Sequence, residues 1–206
     1  MHRDAVVARA STPEHLRPAD RHVALLFDWD GTVADSQQVN FEVLRTALDG
    51  VGLTLDQGWF DARTGVSSRE MVRMVADLAQ TDVDVDAVAA ARDRVFLERV
   101  DEVGEVRHVV DVLRAEHGRR RTALATGGTA ATVLPTVRAL GLGSLFDVTV
   151  TRGDVARGKP APDIFLRAAE LLGVDPAGCL VYEDSDEGLQ AALTAGMDAV
   201  DVRPLR

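Results

Sequence analysis

Two reactive side chains are almost missing from this chain. Among its 206 residues there is one cysteine, Cys179, and of 23 basic residues only Lys159 is a lysine. A single cysteine excludes an intrachain disulfide and makes a cytoplasmic location the natural expectation. Cys179 opens an apolar run, so a buried, inert thiol is expected there. Runs of about 18 apolar residues are also missing, which excludes a membrane-spanning helix, and no charged–apolar–small leader is recognisable. None of the five histidines falls in a metal-like spacing such as H-x-x-x-H. Positive charge is short overall, with a formal net charge of −10. That balance argues against nucleic acid as a partner and requires any phosphate site to be locally positive. Where arginine fills nearly every basic position, the lone lysine marks a place suited to a compact ammonium instead of a planar fork.

What is present reads as a soluble α/β protein. An apolar content of 46% and a charged content of 27% are ordinary, and the length allows one well-buried core with a small second lobe. Short apolar runs at 23–27, 122–125, 148–151, 180–182 and 199–202 alternate with helical patterns at 106–116, 130–140, 162–172 and 187–195. That alternation predicts a Rossmann-like parallel sheet covered on both faces. Residues 37–103 break it, with helical patterns at 39–48, 68–78 and 85–100 and no convincing strand. They are expected to form a helical cap inserted after the first strand. The core is then 21–36 together with 104–206, and residues 1–20, mixed and polar, read as a flexible N-terminal extension.

The first strand carries the strongest signal. It ends in Asp28-Trp29-Asp30-Gly31-Thr32, two carboxylates two residues apart that should project to the same side of an extended segment. Such a pair repels itself unless a cation or a shared proton intervenes. In an open parallel sheet, ligands bind at the carboxyl ends of the strands, and three further strands deliver polar groups there. One ends in Thr126-Gly127-Gly128-Thr129 and runs into a helix, where a hydroxyl and backbone N–H groups suit an anion. Another leads to Gly158-Lys159-Pro160-Ala161-Pro162-Asp163, which presents the lone lysine rigidly. The last ends in Glu183-Asp184-Ser185, with Asp184 placed to meet Asp28. Holding Asp28 and Asp184 side by side calls for a hard cation, and Mg²⁺ fits.

In order and content these four motifs resemble the haloacid dehalogenase (HAD) superfamily of phosphotransferases, over essentially the whole chain from Val23 to Leu205. The insert looks like the small helical cap of the subgroup that holds β-phosphoglucomutase and many sugar phosphatases. The C-terminal half is similar to bacterial fructose-1-phosphate and 6-phosphogluconate phosphatases. The resemblance implies a Mg²⁺-dependent phosphatase acting on a small phosphorylated metabolite, a sugar phosphate. It implies that Asp28 is the nucleophile and Asp30 the acid and base, with Asp28, the Asp30 backbone carbonyl and Asp184 holding the metal. Thr126, Gly127, Gly128 and Lys159 would bind the phosphoryl group, and Glu183 would be either a direct metal ligand or an acid behind the ligands that orients water. The segment Gly65-Val66-Ser67-Ser68-Arg69 resembles the cap loop that meets substrate, which makes Arg69 a substrate-binding candidate, although it stands one position off; a solvated arginine at a helix start is the other reading. The partner expected is a small phosphate ester, with the chain a monomer or a weak homodimer.

A sugar-phosphate mutase is the nearest alternative. Against it, the cap has no lysine, and Asn40 stands where members often carry a histidine, five positions after Asp35. A phospho-receiver signalling domain also gathers acids, a hydroxyl and a lysine at one sheet edge. Such domains are shorter, lack a cap and do not use the Asp-x-Asp-Gly-Thr motif.

Overall fold

The structure, a computed structural model, describes residues 5–205. In chain order its strands and α-helices are β1 (Val7–Arg9), β2 (Ala24–Phe27), β3 (Ala34–Asp35), α1 (Gln37–Asp49), α2 (Gln57–Asp61), α3 (Ser68–Leu78), α4 (Val85–Glu98), β4 (Gly104–Glu105), α5 (Arg107–Glu116), β5 (Arg121–Ala125), α6 (Ala130–Ala139), β6 (Val148–Val150), α7 (Asp163–Leu172), β7 (Cys179–Glu183), α8 (Asp186–Thr194) and β8 (Asp198–Asp201). Six strands form one sheet in the order β1-β8-β7-β2-β5-β6. Every pairing in it is parallel.

Burial explains why the strands read as unbroken apolar runs. All four residues of β2 are buried, as are all five of β7. Their side chains alternate between two cores. Leu25, Phe27, Leu124 and Tyr182 meet Val109 and Leu113 of α5 and Val133 and Val137 of α6. Ala24, Leu26, Ala123 and Val181 meet Ile164 and Phe165 of α7 and Leu189 and Ala192 of α8. Helices on both faces leave no polar side for a strand to show. Because β2 lies at the centre, the polar residues that follow β5, β2 and β7 emerge side by side along one edge.

One expectation fails at the N-terminus. The predicted flexible extension supplies β1, which lies on β8 with Val7 opposite Ala199 and Arg9 opposite Asp201. Ala10 and Leu16 that follow are fully buried. The Tyr182 hydroxyl, deep in the core, donates to the Leu16 carbonyl at 2.5 Å, which ties the segment down. Without β1, β8 would be an open sheet edge. The first four residues of the expected extension lie outside the described ones.

The segment between β3 and β4 is helical, with the short α2 in addition to the three predicted helices. It has a small core of its own, including Phe41, Leu44, Phe60, Met71, Val72 and Val88. Its two connections to the rest of the chain run side by side, since β3 and β4 pair antiparallel, Ala34 with Glu105 and Asp35 with Gly104.

Candidate active site

The edge above β2 is built first by the backbone. The Asp28 amide continues the sheet by donating to the Tyr182 carbonyl at 3.0 Å. The chain then folds on itself, and the amides of Thr32, Val33 and Ala34 all point at the Trp29 carbonyl, 2.9–3.2 Å away. Trp29 is 1% exposed and anchors this turn in the core. The consequence separates the two acids that the sequence placed together. Asp28 Oδ1 accepts from Lys159 Nζ at 2.6 Å, whereas Asp30 Oδ1 accepts from Ser36 Oγ at 2.5 Å and Asn40 Nδ2 at 3.0 Å.

Lys159 is buried and divides itself between two carboxylates, with Glu183 Oε2 also at 2.6 Å. Burial alone would lower its pKa, but Asp28 and Glu183 outweigh that, and the ammonium is held more tightly protonated than usual. Glu183 ends β7. Its other oxygen accepts from the Asp184 amide at 3.1 Å, the Ser185 amide at 3.0 Å and the Ser185 hydroxyl at 2.7 Å. A carboxylate engaged on both oxygens holds the loop in shape. Gly188, at the start of α8, is part of the same arrangement, since a β-carbon there would sit 2.0 Å from the Glu183 carboxyl carbon. Only glycine lets the helix pass so close.

Asp28, Glu183 and Asp184 have carboxylate oxygens that all lie within 4.8 Å of one another. Burial, and then the Glu183 charge, push the Asp28 carboxyl well above the ordinary carboxylate range, although Lys159 pulls it back. Three buried carboxylates gathered this closely form a set of hard oxygen donors, which a divalent cation suits. The Thr32 hydroxyl donates to Asp184 Oδ1 at 3.4 Å and steadies that carboxylate.

The anion-binding side is built where β5 meets α6. Thr126 is 1% exposed, and its hydroxyl oxygen accepts from the Gly128 amide at 3.0 Å, which leaves its hydrogen for a ligand. Gly128 is sterically required: a β-carbon would lie 2.7 Å from Val133 Cγ2 and 3.6 Å from Asp30 Oδ2. At Gly127 nothing would obstruct one.

Asp28, Asp30, Thr126, Gly127, Gly128, Lys159, Glu183 and Asp184 all line one cleft, a cavity of about 140 Å³. The helical insert forms its opposite wall. At Gly65, with φ +95°, a β-carbon would come within 2.9 Å of Ser185 Cβ, so the insert's loop rests directly on the β7–α8 loop. Arg69 does not reach the cleft. It pairs with Asp86 on the surface, both half exposed or more, while Ser67 and Ser68 face the cavity. One residue along a helix start turns a side chain by about 100°, which is the size of that miss.

Sequence reasoning assigns no role to Ser36, and meets Asn40 only as a departure from pattern. Both hold Asp30. Arg92 of α4 escapes it altogether. It is 7% exposed, lines the cavity and donates through Nη2 to Asn40 Oδ1. No local signal marks it, since Asn40 is 52 residues away in the chain.

Comparison with known proteins identifies the family. The model of the haloacid dehalogenase-like hydrolase family matches residues 23–196. The fructose-1-phosphate phosphatase YqaB of Escherichia coli is 38% identical over 186 residues, which are 90% of this chain and 99% of that protein. A phosphorylated carbohydrates phosphatase of Thermotoga maritima is 30% identical over 181 residues, 86% of this chain and 83% of that one. Among solved structures, a mutant of CbbY from Rhodobacter sphaeroides in complex with xylulose-(1,5)-bisphosphate is 25% identical, with a TM-score of 0.78 over 86% of this chain and 85% of that chain. Four motifs in order, a cleft that gathers them and a family match over most of the length lead to one conclusion: the chain belongs to the haloacid dehalogenase-like hydrolases.

Proposed function

We propose that this protein is a phosphatase that hydrolyses a small sugar phosphate through a phosphoryl intermediate on Asp28. The observation that carries the reading is the division between the two acids of the first motif. Asp28 sits among charges, bonded to Lys159 and beside Glu183 and Asp184. Asp30 sits apart, held by the neutral donors Ser36 and Asn40. Two carboxylates in such different surroundings suit two different tasks.

Asp28 attacks phosphorus, and the bond to the ester oxygen breaks as Asp30 gives that oxygen a proton. Asp30, now ionised, takes a proton from water, which attacks phosphorus and frees both phosphate and Asp28. Lys159, the Thr126 hydroxyl and the Gly127 amide stabilise the phosphoryl oxygens during both steps. Glu183 keeps Lys159 and the Asp184 loop in place. Asp28, the Asp30 backbone carbonyl and Asp184 would hold Mg²⁺, whose charge would offset that of the phosphate. The residues on either side of the cleft act as a core (21–36 with 104–206, joined by β1 and the segment after it) and a lid (37–103). A cytoplasmic location, consistent with the single cysteine, belongs to the same reading; among the described residues, no helix is long and apolar enough to cross a membrane.

Sugar phosphates enter as substrates through the two relatives named for them, both at least 30% identical. Release of inorganic phosphate from a panel of sugar phosphates tests the reading, with glucose 1-phosphate interconversion followed in parallel. Hydrolysis that vanishes on thorough chelation and returns with Mg²⁺ is the expected result. Isomerised sugar phosphate without phosphate release would establish a mutase instead.

A further inference from the structure

Lys159 enters the site from residues 151–162, which join β6 to α7 with no regular structure beyond a 3-10 turn at Arg152–Asp154. Such a backbone needs other support, because Lys159 must meet Asp28 and Glu183 at 2.6 Å each. At its start, the Thr151 amide and hydroxyl both donate to Asp154 Oδ2, at 2.7 and 2.8 Å. Arg152 does more. Its amide donates to the Gly128 carbonyl at 3.0 Å, which ties the connection to the anion-binding turn. Its side chain folds back inside the connection, where Nη1 donates to the Val155 carbonyl at 2.9 Å and Nη2 to the Ala156 carbonyl at 3.4 Å. Gly158, the residue before the lysine, rests on the same guanidinium, since a β-carbon there would lie 3.0 Å from Arg152 Nε. These contacts end on backbone, so what the side chain fixes is the path of the chain.

We propose that Arg152 is a positioning residue, whose guanidinium fills the inside of the 152–158 turn and sets the point from which Lys159 reaches the phosphoryl group. This rests on the phosphatase reading above, in which Lys159 stabilises the phosphoryl oxygens. The planar fork of arginine suits the task, because it serves two carbonyls at once and still offers a flat face to Gly158. A second arginine braces the outside of the same connection: Arg157 donates to both oxygens of Asp163, at 2.7 and 3.2 Å. Its side chain is 71% exposed, and an exposed pair fixes little. Positioning matters here because a displacement of about 1 Å at a reacting group can cost as much as a hundredfold in rate.

The test is a double-mutant cycle on phosphate release from the sugar phosphate that the wild type hydrolyses fastest, with Arg152→Met, Lys159→Met and the two combined. Arg152→Met should lower kcat about tenfold and change KM by less than about threefold, because the lysine acts chiefly on charge that develops in the transition state. In the Lys159→Met background the same substitution should cost less than about twofold, since there is no ammonium left to misplace. A larger loss in that background would overturn the proposal, because Arg152 would then act on the site without Lys159. An Arg152→Met enzyme with lowered melting temperature and kcat within about twofold of the wild type would overturn it too, as the mark of a purely structural role. Arg157→Ala is the control on the same connection, and its kcat should stay within about twofold of the wild type. Should Arg152→Met not fold, Arg152→Lys takes its place in the cycle; it keeps the stem and serves one carbonyl, with an expected loss of about threefold that again vanishes without Lys159. A wild type that releases phosphate from no sugar phosphate would overturn the hydrolytic reading, and this proposal with it. An active wild type with additive losses would overturn this proposal alone.

Discussion

The two walls of the cleft are built on opposite principles. The core wall is a set of charges fixed by backbone: Asp28 follows β2, Glu183 ends β7, and Lys159 joins them at 2.6 Å on each side. The insert's wall is short of charge, with hydroxyls, Phe60, Met71 and Phe96, and Arg92 alone as a cation among the described residues. Phosphoryl transfer demands an invariant arrangement of charge, and strand ends in a rigid sheet provide it. Recognition of a leaving group demands shape and hydrogen bonds, which on the proposed reading fall to a separate helical body with its own small core.

That contrast is broken most severely at the core wall. Lys159→Met leaves Asp28 and Glu183 buried without their shared cation. Activity should fall by roughly a thousandfold, the scale for losing one donor to a developing anion, and stability by about 3 kcal/mol, the lower end for breaking a buried pair. Phosphate release and thermal melting measure the two effects.

A smaller effect goes the other way. Because the Asp28 carboxyl titrates well above its ordinary range in the fold, the metal-free native state binds more protons than the unfolded chain at intermediate pH. Its contribution is present in full below the unfolded pKa, near 4, and is lost as pH rises through the raised value. Asp28→Asn lacks this dependence. In chelator, the variant's melting temperature should therefore exceed the wild type's by a margin that widens from acid to neutral pH. A tenfold difference in proton affinity corresponds to about 1.4 kcal/mol, or roughly 4 °C for a chain of this size. A margin that narrows with pH would contradict the upward push that burial and Glu183 give the Asp28 carboxyl.

On the insert's outer face, Arg69→Ala should change kcat/KM for any sugar phosphate by less than about twofold, since its pair with Asp86 is solvent-exposed. A larger loss would bring Arg69 back into the site.

The core wall was legible in the sequence because parallel topology converts strand ends into neighbours. Asp28, Thr126, Lys159 and Asp184 each follow an apolar run or its loop, and the sheet order brings them together without further information. The insert was legible only as helices. Which of its residues face the cleft depends on helical phase, so the resemblance of the 65–69 segment to a cap loop names Arg69, one position off, when Ser67 and Ser68 are the residues that line the cleft. The contact of Arg92 with Asn40 joins α4 to α1, and no local pattern announces it. β1 escapes for a different reason: three residues, all exposed, give neither alternation nor an apolar run. Its pairing with β8 is fixed by the sheet edge that it covers.

The direct test of the central claim is capture of the intermediate. Enzyme mixed with a radiolabelled phosphate monoester and quenched in acid within one turnover should carry a hydroxylamine-labile phosphoryl group on the peptide that contains Asp28. The same experiment with Asp28→Asn should give neither label nor turnover. Turnover by Asp28→Asn at the wild-type rate, or label found on another residue, would contradict the account.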